Sequence, residues 1–203
     1  MKKTAKPIAQ KTVEAGMESS VEQRAINAAV RLFSSKGIYP TSMEDVASEA
    51  GMARSTLYRY FKDKDQLIVQ VMEQETMQLA LKLAGKIKTE HFGEFILEGV
   101  LLAVEHIPKH PVLGKMIAAD TLETSHRVLF TANRLTSVAI DVIRTAIENA
   151  KQQGQLRENL SPEMLMDWLV RVVFSLVTTQ SDFTKNKKQI RHLLETMLLP
   201  VLS

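Results

Sequence analysis

Residues 41–64 read TSMEDVASEAGMARSTLYRYFKDK, and this stretch decides the fold. Thr41 and Glu44 have the spacing of a capping box, which predicts a helix start. Met43, Val46, Ala47 and Ala50 then repeat at helical spacing, and Gly51 ends the run. A second short helix is predicted from about Ala53 to Phe61. With Leu57 turned to the core, a step of about 100° per residue puts Ala53 and Phe61 within about 40° of it. Ser55 and Arg59 then point away from the core. Thr56 and Tyr58 flank that outer face, Arg54 lies at its amino end and Tyr60 at its border. A face of hydroxyls and guanidinium groups without a carboxylate suits a DNA major groove. Arginine reaches guanine edges or phosphate, serine and threonine reach either, and tyrosine hydroxyls reach phosphate oxygens.

Outward from this stretch the pattern stays helical. Ser20 and Gln23 form another capping-box spacing, and Ala25, Ala28, Ala29, Leu32 and Phe33 make one apolar stripe before Gly37. Asp63 and Gln66 are placed to cap a further helix that carries Leu67 and Val71 towards Lys86. Two short helices joined by a glycine turn and braced by a longer one give the outline of a helix-turn-helix unit. The amino end of a helix offers free N–H groups to a phosphate, so Thr41, Ser42 and Lys64 are candidate backbone clamps. Plain capping accounts for Thr41 equally well.

Composition supports this reading and closes others. The chain has 203 residues with only 8 Gly and 6 Pro against 10 Met, which favours long helices. The absence of cysteine removes disulfide scaffolds, thiolate metal sites and thiol catalysis, and it suits a cytoplasmic setting. No apolar run approaches the ~20 residues of a membrane span, and no apolar stretch follows Lys2, Lys3 and Lys6 as a secretory signal requires. Residues 1–64 hold eleven basic side chains against seven acidic ones, while the remainder holds fifteen against sixteen. The basic excess therefore lies where a polyanion is expected to bind. Residues 1–18, polar and without periodicity, read as a flexible basic arm.

The order and spacing of Thr41, Val46, Ala47, Gly51, Thr56, Leu57, Tyr58, Tyr60, Phe61, Lys64 and Leu67 closely resemble the DNA-binding domain of the TetR family of bacterial regulators. Ala28, Ala29, Leu32, Phe33 and Gly37 also match that family's first helix, so the resemblance covers roughly residues 21–70. One departure is Ala53, where the family often carries a capping serine. The resemblance implies an all-α fold: an N-terminal three-helix helix-turn-helix domain plus a C-terminal helical ligand-binding and dimerisation domain. It implies a homodimer on a double-stranded DNA operator, released when a small-molecule effector binds. The expected divisions are the arm at 1–18, the DNA-binding domain at 19–66 and the second domain at 67–203.

Beyond residue 70 the reading rests on pattern. Helices are expected at Phe92–Ile107, about Val112–Ala119, Ser125–Gln153, from Ser161–Pro162 onward, and at the carboxy end. The last two are apolar on more than one face. Burial within one protomer or against a second copy would each satisfy that, and the resemblance selects the second. The dimer interface is then expected at Leu169, Val173, Leu176, Leu194, Met197 and Leu198. A ligand cavity is expected between the Phe92–Ile107 helix and the long helix, lined by Phe95, Ile96, Met116, Ile117, Leu122, Phe130 and Trp168. Glu98, His126 and Arg127 are the polar candidates there.

No phosphate-loop, dinucleotide or zinc-protease motif occurs. Glu123 and His126 form a single E-x-x-H, half of what a di-iron bundle requires. The chain is therefore expected to be a regulator, with no enzymatic activity, no catalytic residues, no metal and no cofactor. The alternatives are an activator, a ligand-independent regulator, or a helical enzyme or metal protein.

Overall fold

The computed structural model describes residues 8–118, 134–179 and 181–202, and these are helical throughout with no strand among them. The chain divides into two compact units, Met1–Val71 and Met72–Ser203.

The first unit begins with α1, Ile8–Ser35. The helix therefore starts at Ile8 and not at Ser20, which makes residues 8–18 of the expected arm helical, while residues 1–7 lie outside the described residues. The stretch from Ile8 to Ser20 contains no proline, and its Ala, Gln, Lys, Glu and Met are favourable helix formers. Ser20 therefore lies inside the helix. The stripe of Ala25, Ala28, Ala29, Leu32 and Phe33 is buried as the spacing predicts. α1 ends where the Gly37 N–H donates to the Phe33 carbonyl at 3.1 Å, with Gly37 at φ 95°.

α2 spans Met43–Glu49 and α3 spans Arg54–Tyr60. Between them the N–H of Gly51 donates to Ser48 and that of Met52 to Ala47, the paired bonds of a Schellman turn. Gly51 has φ 61°, which only glycine adopts without strain. The inner edges of the helices meet in one core containing Met43, Val46, Leu57, Phe61, Leu67 and Ile68. α4, Lys64–Ala84, begins in this unit and continues into the second.

The second unit contains α5 (Phe92–His106), α6 (Leu113–Ile117), α7 (Arg134–Gln152), α8 (Pro162–Thr178), α9 (Lys187–Met197) and α10 (Leu199–Leu202). Ser161 caps α8 by accepting from the Met164 N–H, with Pro162 in the first turn, and Asn186 caps α9 through Gln189. The carboxy-terminal helix expected to run unbroken to Leu202 is interrupted at Leu198, because Pro200 has no N–H to donate. Phe92, Leu97, Val100, Ile147, Leu165, Leu169, Leu194 and Leu198 pack in one core.

His110 ties the link between α5 and α6 to α4. Its Nδ1 accepts from the backbone N–H groups of Val112 at 3.3 Å and Leu113 at 3.2 Å. The ring proton then belongs on Nε2, which lies 3.7 Å from the buried Glu75 carboxylate. Burial lowers the imidazole pKa below its ordinary value; Glu75 opposes the shift and Lys82 adds to it. The folded protein thus binds this proton less tightly than the unfolded chain does. The resulting stabilisation is complete above the ordinary value of 6.5 and is lost progressively as the pH falls below it towards the folded value. Urea unfolding between about pH 7.5 and about pH 5 should show stability falling on acidification. His110→Asn, which keeps an acceptor for the two N–H groups, should show a shallower fall. Identical slopes would assign the titration to another group.

Candidate nucleic-acid interface and cavity

Leu57 and Phe61 are wholly buried, and they fix which side of α3 faces outward. Arg54, Ser55, Tyr58 and Arg59 are exposed, while Thr56 and Tyr60 are half-buried at the flanks, as the helical spacing predicts. Ala53 departs from that prediction: it is exposed, because it is the N-cap in extended geometry and the helical step does not reach it. No side chain caps α3.

The arginines are held in defined positions. The Arg54 guanidinium pairs with Glu44 at 2.7 Å and lies 5.3 Å from the Tyr58 ring centroid. The Arg59 guanidinium lies 5.1 Å from the Tyr60 ring centroid and donates through Nη2 to the Tyr60 hydroxyl at 3.2 Å. Glu44 comes from α2, so α3 lacks acids along its own sequence but has one beside it in space. Helical spacing within α3 could not have shown this.

Two candidate clamps change roles. Thr41 is 1% exposed, and its hydroxyl donates to the Gly37 carbonyl at 2.7 Å. That hydroxyl is committed inside the unit and is not offered to a phosphate. The capping box lies one residue later than expected. Ser42 Oγ accepts from the Asp45 N–H at 3.1 Å, and the Ser42 N–H donates to the Asp45 carboxylate at 2.9 Å. Those Ser42 bonds, first the backbone one and then the hydroxyl one, hold the Asp45 carboxyl below its ordinary pKa, with Lys36 adding to the effect. Ser42 itself is exposed at the amino end of α2. Lys64 is half-buried, and its Nζ donates to the Tyr39 carbonyl at 3.1 Å. Partial burial lowers its pKa below the ordinary lysine value. Tyr39, 57% exposed in the turn before α2, was missed by the sequence reading; an aromatic next to Pro40 in a turn was the available signal.

The second unit contains a partly open cavity of about 240 Å³. Phe95, Ile96, Met116 and Ile117 line it, as expected. Trp168 does not; it is 41% exposed on the surface. Leu122 and Phe130 lie outside the described residues, as do Glu123, His126 and Arg127. Glu98 pairs with Arg191 instead of lining the cavity. The reading missed the face of α4 that carries Met72, Thr76, Ala80 and Leu83, and the face of α8 that carries Val170, Phe174 and Val177.

The expected dimer residues divide differently. Leu169, Leu194 and Leu198 are buried in the protomer's own core, which corrects their assignment to an interface. Val173 lines the cavity, and Leu176 packs partly buried against the core. Met197 is exposed, and so are Met164, Trp168 and Val201. Among the described residues, no cluster of three His, Cys, Asp or Glu side chains is placed to hold a metal ion. No helix among them is long and apolar enough to cross a membrane.

These features define a helix-turn-helix DNA-binding domain joined to a helical unit that contains an apolar cavity. Residues 25–71 match the family model of the bacterial regulatory proteins, tetR family. The HTH-type transcriptional regulator UidR of Escherichia coli (strain K12) is 20% identical over 154 residues, covering 76% of this chain and 78% of UidR. The R. erythropolis transcriptional repressor QsdR shares the fold with a TM-score of 0.69 at 20% identity, over 91% of this chain and 97% of QsdR. RolR, in complex with resorcinol, gives a TM-score of 0.65 at 16% identity, over 93% and 90% of the two chains. The DNA-binding region at residues 25–71 is thus similar to that of the tetR family of bacterial regulatory proteins, and UidR is named a transcriptional regulator.

Arg59→Ala should relax preference at one base position at a cost of about 1–3 kcal/mol, measured across single-base variants of a selected duplex. Equal weakening on every duplex would make Arg59 a phosphate contact. Lys64→Ala should weaken all duplexes alike and lower the salt slope by about one; an unchanged slope would refute a phosphate role.

Proposed function

We propose that the protein is a repressor that binds a palindromic operator as a homodimer and is released when a small molecule enters the cavity of the second unit. The observation that carries the DNA-binding part is α3 itself, with Leu57 and Phe61 wholly buried and Ser55, Tyr58 and Arg59 outward. Arg54, Thr56 and Tyr60 complete the contact surface, with Ser42 and Lys64 on flanking phosphates. Two such helices, related by a two-fold axis, read half-sites about 34–36 Å apart, or a related spacing.

Several observations support the dimer. Met164 and Trp168 lie one helical turn apart on α8, and Met197 and Val201 add exposed apolar surface at the carboxy end. Large side chains of this kind mark a surface that a partner covers. The contact proposed here uses these four residues in place of the buried leucines.

The cavity supports the release step. Its α4 wall belongs to the same helix that starts at Lys64, so a shift of α4 on ligand binding would reach a phosphate clamp through covalent continuity. QsdR is itself named a repressor, and RolR was solved with a small ligand.

The experiment that tests the whole reading is selection of bound duplexes from a random pool, followed by a reporter under the selected operator. A palindromic consensus and derepression on deleting the gene are expected; loss of transcription on deletion would make the protein an activator. Trp168→Glu with Met197→Glu should convert the dimer to folded monomers by light scattering, with operator affinity reduced at least tenfold. An intact dimer would place the interface elsewhere.

A further inference from the structure

The cavity wall is unusual in its chemistry. Among the described residues, Thr76 is the only lining residue with a side-chain oxygen or nitrogen, and none of the lining residues carries a charge. Two charged groups that neighbour the wall in sequence face elsewhere. Glu75, beside Thr76, faces His110 at 3.7 Å. Lys86, beside Ile87, lies 3.2 Å from His106 Nε2 on the exposed surface. Within α4, α5 and α8 the backbone N–H and C=O groups are committed to the helices, so they offer little to a ligand. Three methionines, Met72, Met116 and Met166, supply flexible apolar surface that adapts to ligand shape.

This wall sets the ligand's chemistry. An ionised carboxylate or ammonium brought against the described wall would lose hydration and meet no counter-charge and no dense set of donors there. A plain hydrocarbon would fit, but it would leave the Thr76 hydroxyl without a ligand partner. The volume, about 240 Å³, lies just below the ~300–1,000 Å³ usual for pockets that take drug-sized molecules. That size favours one or two rings or a short chain.

We propose that the ligand of this cavity is a small uncharged molecule of mainly hydrocarbon surface bearing one hydroxyl or carbonyl oxygen, and that Thr76 selects it by pairing with that oxygen. This rests on the reading above that the cavity is the effector site. Thr76 is then a specificity-determining residue, and the rest of the wall supplies affinity without directional preference.

Two matched probe series test this with the full-length protein: naphthalene, 2-naphthol and 2-naphthoate, then octane, 1-octanol and octanoate. Binding is read by calorimetry and thermal shift near neutral pH, and release is read separately by fluorescence anisotropy on a selected duplex. In at least one series the neutral alcohol or phenol should bind about five- to tenfold more tightly than the hydrocarbon, the factor of one net hydrogen bond. The carboxylate should bind at least a hundredfold more weakly than the alcohol. Thr76→Val should abolish the preference for the oxygen while leaving hydrocarbon binding and the melting temperature in place, and Thr76→Ser should restore it. Ala103→Leu, which fills the cavity, should weaken every probe. A carboxylate that binds as well as its alcohol overturns the proposal. So does a preference unchanged in Thr76→Val, or failure of every neutral probe to bind. Neutral probes that bind with the expected order but leave the duplex bound support the ligand class and overturn the release reading instead.

Discussion

The orientation of α3 depends on two side chains. Leu57 and Phe61 are four residues apart, so they lie on one edge of a short helix, and both are completely removed from water. Each contributes roughly 1.5–3 kcal/mol by burial, far more than any exposed pair on the outer side. A rotation of α3 that brought Arg59 inward would lose both anchors and bury a charge. The outward set is therefore a consequence of the inward one. The preceding turn reinforces it, because Gly51 gives the chain a sharp reversal and Thr41 locks the start of α2 to the end of α1.

Electrostatics then refine what packing has set. Glu44 and Asp45 put two carboxylates at the opening of α2, where the helix dipole favours them. They also hold Arg54 and, more loosely, Lys36 at 3.8 Å. Exposed pairs of this kind add little stability. Their effect is to narrow the positions a long cationic side chain samples before it meets a phosphate or base, which lowers the entropy lost on binding. Arg59 is narrowed in the same way by Tyr60.

Much of the first unit could be read from the sequence, because its architecture is local. Stripes at helical spacing and glycine stops gave α2, α3 and the outward set to within a residue. The errors arose where contacts distant in sequence decide the outcome. Thr41 and Ser42 are both good caps, and only the approach of Gly37 shows which one is consumed internally. In the second unit, periodicity marked Leu169, Leu194 and Leu198 as apolar but could not say whether their cover comes from the same chain. The cavity's α4 face was missed for a related reason. Met72, Thr76, Ala80 and Leu83 form a weak stripe whose meaning appears only when α5 and α8 pack across from it. The early start of α1 was passed over by an expectation built on capping signals.

The proposed DNA contacts all fall between Ser42 and Lys64, and the cavity wall begins at Met72, so the two share no residue. A mutation that retunes what the protein senses need not disturb where it sits on a chromosome, and the reverse also holds. Selection can therefore reassign this scaffold to a new stimulus one substitution at a time, keeping its genomic address while the chemistry it answers to drifts.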